Sequence, residues 1–368
     1  MTTELAARLP PARPARLWHA ARRVAVYAVP LPVMAFILVI TAHTPLWAAD
    51  FTHSFLPAAR LVWHGHSPYP ALSAPPSGSA FVYPPMLALA LLPLVALPGW
   101  LASAVFVLLV FAALAAALRA LEVRDLRCYS VALLWPAVIA TVQTASISLA
   151  LTLAVALAWR WRDRPARQVA AVALGMVAKL FLWPLLVWVW AVHGWRRALS
   201  AAAASAGLAL ASWAAIGFTG LRTYPRLLTR LGAAEGPTGY TLSHLSEHAG
   251  LTAAFGTGLS YAAAVVLLAL GWRTGRQGRA GVSLTLCIAA ALVASPIVWL
   301  HYFALLLVPV GLASRTYSRL WLIPCAALLA GPAVGPNHRP GAVAAVLVAG
   351  VITTTIAVRR LASANPAA

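Results

Sequence analysis

The sequence predicts an all-α polytopic membrane protein, and three observations carry that prediction. The chain has 368 residues, of which 62% are hydrophobic and 9% charged, and its mean hydropathy is +0.84. Its apolar residues are gathered into runs of about 17 to 25, the length that crosses a bilayer as a helix. Its arginines lie between those runs: the clusters at 8–23, 119–127, 160–167, 196–197, 273–279, 315–319 and 359–360 hold 21 of the 26. Arginine-rich connections face the cytoplasm, so the net charge of +20 reads as a topology signal. A nucleic-acid-binding face needs a continuous basic stripe on a soluble element, and this pattern excludes one.

Taken in order, residues 1–23 read as a cytoplasmic tail, with five arginines and three prolines. The run from Val24 to about Trp47 is too long for a signal-peptide core and is taken as a retained helix leading outward. Residues 49–80 then form a first large extracytoplasmic loop, in which FLPAARLVW is an amphipathic segment lying in the interface. The apolar run restarts at Phe81 and, after Pro98 and Gly99, continues to about residue 118.

Residues 128–159 and 168–195 each have basic flanks on both sides, so each is expected to be a hairpin, with Gln143 and Lys179 near the two apices. Four crossings between Asp50 and Arg160 would put both on one side. One element between 81 and 159 is therefore expected to be re-entrant or incomplete, which is tolerated where protein or a water-filled cavity covers its backbone. The second half alternates cleanly: 198–217 out, a second outer loop at 218–258, then 259–272, 281–297, 302–314, 320–335 and 341–358, ending inside at Arg359 and Arg360. Residues 24–360 are thus one transmembrane domain of roughly 11–13 spans, followed by a cytoplasmic tail at 361–368.

Only 7 residues are Asp or Glu, so Asp50, at the mouth of the first run, is the leading candidate for chemistry. A carboxylate there suits deprotonation of a hydroxyl arriving from the outer surface; the plainer reading is a solvated acid at a helix end. Lys179, the single lysine, falls inside GMVAKLFLWP, where an ionisable group is costly and faces a cavity or an anion; the plainer reading is a snorkelling side chain. His301, in SPIVWLHYF, either hydrogen-bonds a phosphate or sugar or caps a turn in the aromatic belt. Gln143 reads as a polar bond between helices more readily than as a ligand.

Arg222, Arg226 and Arg230 recur every four residues, as on one face of an interfacial helix touching lipid phosphates or, more sharply, an anionic acceptor. HLSEH at 244–248 spells a metalloprotease pattern, but in a Gly-flanked loop of a membranous chain it reads as chance, and no metal site is expected. Cys128, Cys287 and Cys325 are packing residues without metal spacing. No nucleotide motif occurs, and no cofactor is expected.

Several of these residues together resemble a known pattern. An acid after the first span, an aromatic, G-x-x-x-Y (Gly65–Tyr69) and YPP (Tyr83–Pro85), then Lys179 with Trp183 and Pro184, and SPIVWLHY at 295–302, are similar to glycosyltransferase family 87. The resemblance implies a GT-C bundle whose active site faces the outside of the plasma membrane. It also implies a donor that is a polyprenyl-phosphate sugar, and a glycolipid or glycan acceptor. Mannose is the sugar it suggests first and arabinofuranose the second. Asp50 would then be the general base, with Lys179, His301 and Arg60 on the donor phosphate and Tyr69, Tyr83, Gln143, Tyr302 and His64 contacting substrate. A lipid-linked-sugar flippase or transporter is the competing class; the absence of an evident inverted repeat and the two large outer loops count against it. A non-catalytic scaffold would leave Lys179 without purpose.

Overall fold

The computed structural model describes residues 29–44, 47–74, 77–330 and 339–364. The expected tail at 1–23, residues 24–28 of the expected first span and the last four residues of the expected tail at 361–368 lie outside them. Among the described residues every regular element is a helix, as a backbone without water partners demands.

The first helix, α1 (Pro30–Ala42), leads to a π-helical turn, Phe51–Phe55, that runs directly into α2 (Leu56–Trp63). This is the expected interfacial segment: Leu56, Ala58 and Ala59 are buried while Arg60, Leu61 and Trp63 are exposed. Two short helices follow, α3 (Met86–Ala90) and α4 (Leu92–Val95), broken where Pro93 removes a backbone donor and packed against α2. They are too short to span, and they are one of the incomplete elements between 81 and 159, beside the bent pair at 126–144 and the short helix at 148–160.

A long helix, α5 (Gly99–Ala120), crosses the molecule. Behind it, α6 (Leu126–Ala132) and α7 (Pro136–Thr144) meet at a bend of 67°, set by Pro136 at the first position of α7. The chain reverses after Thr144, where Ala145 takes the left-handed conformation (φ 51°), and returns along α8 (Ser148–Arg160). The second hairpin rises as α9 (Pro165–Ala178), turns through a 3-10 segment at Leu180–Leu182 and descends as α10 (Leu185–His193). Its arms splay apart, and α11 (Trp195–Ala215) packs on both. Its feet are tied together, since Arg197 Nη1 donates to Arg162 O at 2.8 Å and to Gln168 Oε1 at 3.2 Å.

The stretch expected to be the second outer loop, 218–258, holds α12 (Tyr224–Glu235) and α13 (Leu242–His248). Then come α14 (Ala253–Arg276), α15 (Ala280–Ala294), a 3-10 run at Leu300–Leu306 continuing as α16 (Leu307–Ala313), 3-10 turns at Arg319–Leu322 and Pro324–Ala330, and α17 (Pro340–Ser363).

Among the described residues four helices, α5, α11, α14 and α17, are long and apolar enough to cross a membrane, and a fifth crossing exists if the bent α6–α7 pair is one span. Seven other apolar segments among the described residues are helices of 10–17 residues, and α3 and α4 are shorter still. At 1.5 Å per residue, such a helix reaches about 15–25 Å, short of a hydrocarbon core about 30 Å thick. Composition set the apolar runs; proline, 3-10 turns and the left-handed Ala145 divide them.

The arginine clusters at 119–127, 160–167, 315–319 and 359–360 converge on one face. Arg160 and Arg315 both pair with Glu122, the latter at 2.6 Å. Asp125 caps α6, binds Arg127 at 2.7 Å and accepts from Tyr317 N at 2.9 Å. Arg360 Nη1 donates to Ser318 Oγ at 3.0 Å. Segments far apart in sequence thus share one polar layer, and the helices carry the chain from it to the opposite end, where the two outer segments meet.

Candidate active site

At that opposite end, the apex of the second hairpin presents Lys179. The ammonium is held by geometry that begins in the backbone: Lys179 N still bonds Gly175 O at 3.0 Å, but its φ and ψ of −157° and 114° have left the helix. Fourteen residues of α9 put it about 21 Å from the polar layer. Its Nζ donates to Tyr302 Oη and, at 3.3 Å, to Tyr83 Oη, and sits over the Tyr302 ring at 3.7 Å and the Tyr83 ring at 4.9 Å. A cation half-buried among aromatic faces is stabilised by their quadrupoles while keeping a donor free for a ligand.

Tyr83 is placed by the extended YPP segment, which two other tyrosines clamp. Tyr69 Oη donates to Tyr83 O and Tyr224 Oη to Val82 O, each at 2.9 Å. Tyr69 and Tyr224 in turn pack edge-on at 5.5 Å and share Trp213 at the end of α11. Gly220 (φ 77°) passes so close to the Tyr69 ring that a Cβ there would lie 2.3 Å from it. Any side chain would displace the clamp as well as strain the backbone.

Asp50 opens the π-helical turn. Ala48 N bonds Gln143 O at 2.7 Å and Gln143 Nε2 donates to Thr41 Oγ1 at 2.9 Å, so the apex of the first hairpin pins this segment. Phe51 stacks on Phe106 of α5 at 4.6 Å, and Phe55 meets Tyr83 edge-on at 5.1 Å. Thr144 Oγ1 donates to Asp50 Oδ2 at 3.3 Å, with Ala140 O as a second acceptor at 3.0 Å.

Asp50 belongs to no helix of span length, and burial lifts its carboxyl above the ordinary carboxylate range; Lys179 and the Thr144 hydroxyl pull it the other way. The Asp50 carboxylate and Lys179 ammonium are within electrostatic reach of each other and of Tyr83 and Tyr302. Yet among the described residues they form no ion pair within 4.0 Å.

Beside Lys179 lies a cavity of about 280 Å³. Its polar groups are Lys179, Tyr83, Tyr302, Tyr224 and Ser295, and its walls are apolar residues such as Phe181 and Leu228. His301 is buried, with its ring 4.9 Å from that of Tyr302, and the Lys179 charge reaches it.

The structure therefore brings together Asp50, Tyr83, Lys179, His301 and Tyr302 out of the residues singled out in the sequence. Gln143 and Tyr69 stand behind this cluster, one fixing the Asp50 segment and the other the Tyr83 backbone. Arg60 and His64 are exposed, on α2 and just after it. Thr144, Phe181 and Tyr224 were not singled out. Thr144 neighbours Gln143 at a predicted apex, and Tyr224 begins the helix already marked by its arginines; both signals were present. At 244–248, His244 and His248 stack at 4.4 Å, and among the described residues no three His, Cys, Asp or Glu side chains gather as a metal site.

A cation held by two tyrosines beside a largely apolar cavity, with an acid near enough to feel its charge, can neutralise an anion at one group and accept a proton at the other. The family model of glycosyltransferase family 87 matches residues 81–296. That stretch contains Tyr83, Gln143 and Lys179; Asp50 precedes it, and His301 and Tyr302 follow it. No curated protein and no solved structure matches the chain.

Proposed function

The chain belongs to glycosyltransferase family 87, and from that premise we propose that it transfers a sugar from polyprenyl phosphate to a hydroxyl of a glycolipid or glycan acceptor. The proposed sugar is mannose, and the proposed location is the outer face of the plasma membrane with both termini in the cytoplasm. A membrane glycosyltransferase is the coarser statement that membership carries.

In the proposed reaction Asp50 takes the proton of the acceptor hydroxyl as its oxygen attacks the anomeric carbon. The bond from that carbon to the phosphate oxygen breaks, its electron pair leaves on polyprenyl phosphate, and the configuration inverts. Lys179 neutralises the charge gained by the leaving phosphate, with Tyr83 and Tyr302 holding the ammonium in place and His301 behind them. A base with a raised carboxyl group binds the transferred proton more firmly than an ordinary carboxylate does. The observation that carries this reading is the Lys179 ammonium held by Tyr83 and Tyr302 at the cavity, with the Asp50 carboxylate close enough to feel its charge and not closed into an ion pair with it. For the side of the membrane, support comes from the arginine layer at the far end.

Purified protein in proteoliposomes, given radiolabelled polyprenyl-phosphate mannose and a lipid acceptor, should produce a labelled glycolipid. The same donor carrying arabinofuranose tests the second sugar. Movement of the donor between leaflets without transfer would replace the enzyme with a flippase.

A further inference from the structure

On the far side of α12 from the Lys179 cavity lies a second cavity of about 370 Å³, lined by Leu72, Pro225, Arg226, Thr229 and Arg230. Tyr224, Leu227 and Leu231 turn inward on this helix, so its arginines occupy the opposite face. Arg230 is fixed by donating Nη2 to Ala74 O at 3.2 Å, which spans the seam between the two outer segments and leaves its other N–H groups for a ligand. Arg226 stands one turn earlier and is exposed. Among the described residues no carboxylate pairs with either; Glu235, on the same helix, sits instead against Gly78.

We propose that this cavity binds the phosphate of an anionic lipid headgroup. Two guanidiniums one helical turn apart match the several oxygens of a phosphodiester. The position is right for lipid, because α12 follows the end of the span α11 and the exposed Phe218. The apolar wall of Leu72 and Pro225 suits the glycerol end of a headgroup better than hydrated inorganic phosphate. Such a lipid would join the segment 67–74 to α12, whose Tyr224 holds Val82 beside the proposed active site, and so couple membrane composition to that site.

The test needs no sugar donor, so its outcome is independent of the transferase reading. Full-length protein in phosphatidylcholine nanodiscs containing phosphatidylglycerol is stripped with detergent and its retained lipid counted. Wild type should retain phosphatidylglycerol in preference to phosphatidylcholine. Arg226→Gln with Arg230→Gln should lower that retention about thirtyfold, as loss of roughly 1 kcal/mol for each of the two basic residues implies. Arg222→Gln, an exposed residue outside the cavity, should not lower it. Arg226→Gln alone, at an exposed position that leaves the Arg230–Ala74 bond intact, should give part of the loss and guards against a folding defect in the double variant. Equal loss in Arg222→Gln would make the effect diffuse charge and overturn the site. Loss of retention on adding inorganic phosphate, with no preference between the lipids, would overturn the lipid assignment.

Discussion

Two ends of this molecule handle scarce acids in opposite ways. In the polar layer, Glu122 pairs with both Arg160 and Arg315, and Asp125 accepts from Arg127 and Tyr317; each acid closes on its partners and ties distant segments together. At the other end Asp50 and Lys179 are poised but apart. Closed pairs at an exposed surface contribute little each, and their use here is to fix which helix ends lie side by side. Asp50 and Lys179 instead spend their bonds on Thr144 and on the two tyrosines, which leaves the two charges open to a ligand and suits groups that hold different proton and charge roles at once.

The largest expected effect tests the open pair directly. Asp50→Asn keeps shape and removes the base, and should lower transfer about 10²- to 10⁴-fold with unchanged thermal unfolding; wild-type turnover would remove Asp50 from the mechanism. Lys179→Ala should come next, raising the donor KM roughly 10- to 100-fold, the worth of a hydrogen bond to a charged group. Unchanged donor affinity would reassign the lysine to packing against Tyr83 and Tyr302.

How far the sequence disclosed this contrast differs between the two ends. The polar layer was legible, because arginines between apolar runs obey a single rule about sides. Lys179 and Asp50 stood out through rarity, whereas which stretch between 81 and 159 is broken was not legible. The lengths of the spans were not legible: hydropathy sees Leu and Ala, whereas Pro136, Ala145 and the 3-10 turns decide where a helix stops. The tyrosine clamp was also hidden, since Tyr69 and Tyr224 act on backbone carbonyls, Tyr224 from a segment far away in sequence. A hydrogen bond to a backbone oxygen leaves no trace in composition.

A smaller effect sharpens the description of the base. Thr144 has one hydroxyl proton and two acceptors, Asp50 Oδ2 and Ala140 O. Donation to the carboxylate favours its charged form, so Thr144→Val should raise the Asp50 pKa further. Activity requires the carboxylate; the acid limb of kcat/KM, already above that of an ordinary carboxyl, should therefore move to still higher pH. The rate at the plateau should fall roughly 2- to 10-fold. A lower plateau with an unmoved acid limb would leave Thr144 with a packing role alone.

The smallest effect lies in the closed layer and should leave chemistry untouched. Asp125 is held down to about 2, first by its bond from Arg127 and further by the backbone donors of Tyr317 and Arg127. A depressed carboxyl stabilises the fold above its unfolded pKa of about 3.9 and loses that contribution as pH falls through its folded value. Asn caps a helix as well as Asp does, so Asp125→Asn should lower stability near neutral pH by at most about 1 kcal/mol, the worth of the ion pair with Arg127, while donor KM and turnover per folded molecule stay as in wild type. The gap between the variant and wild type should narrow as pH falls toward 2 and vanish below it, where the wild-type carboxyl is itself protonated. A change in turnover at neutral pH would mean that the two ends are coupled, and that the layer of closed pairs does more than hold the helices in order.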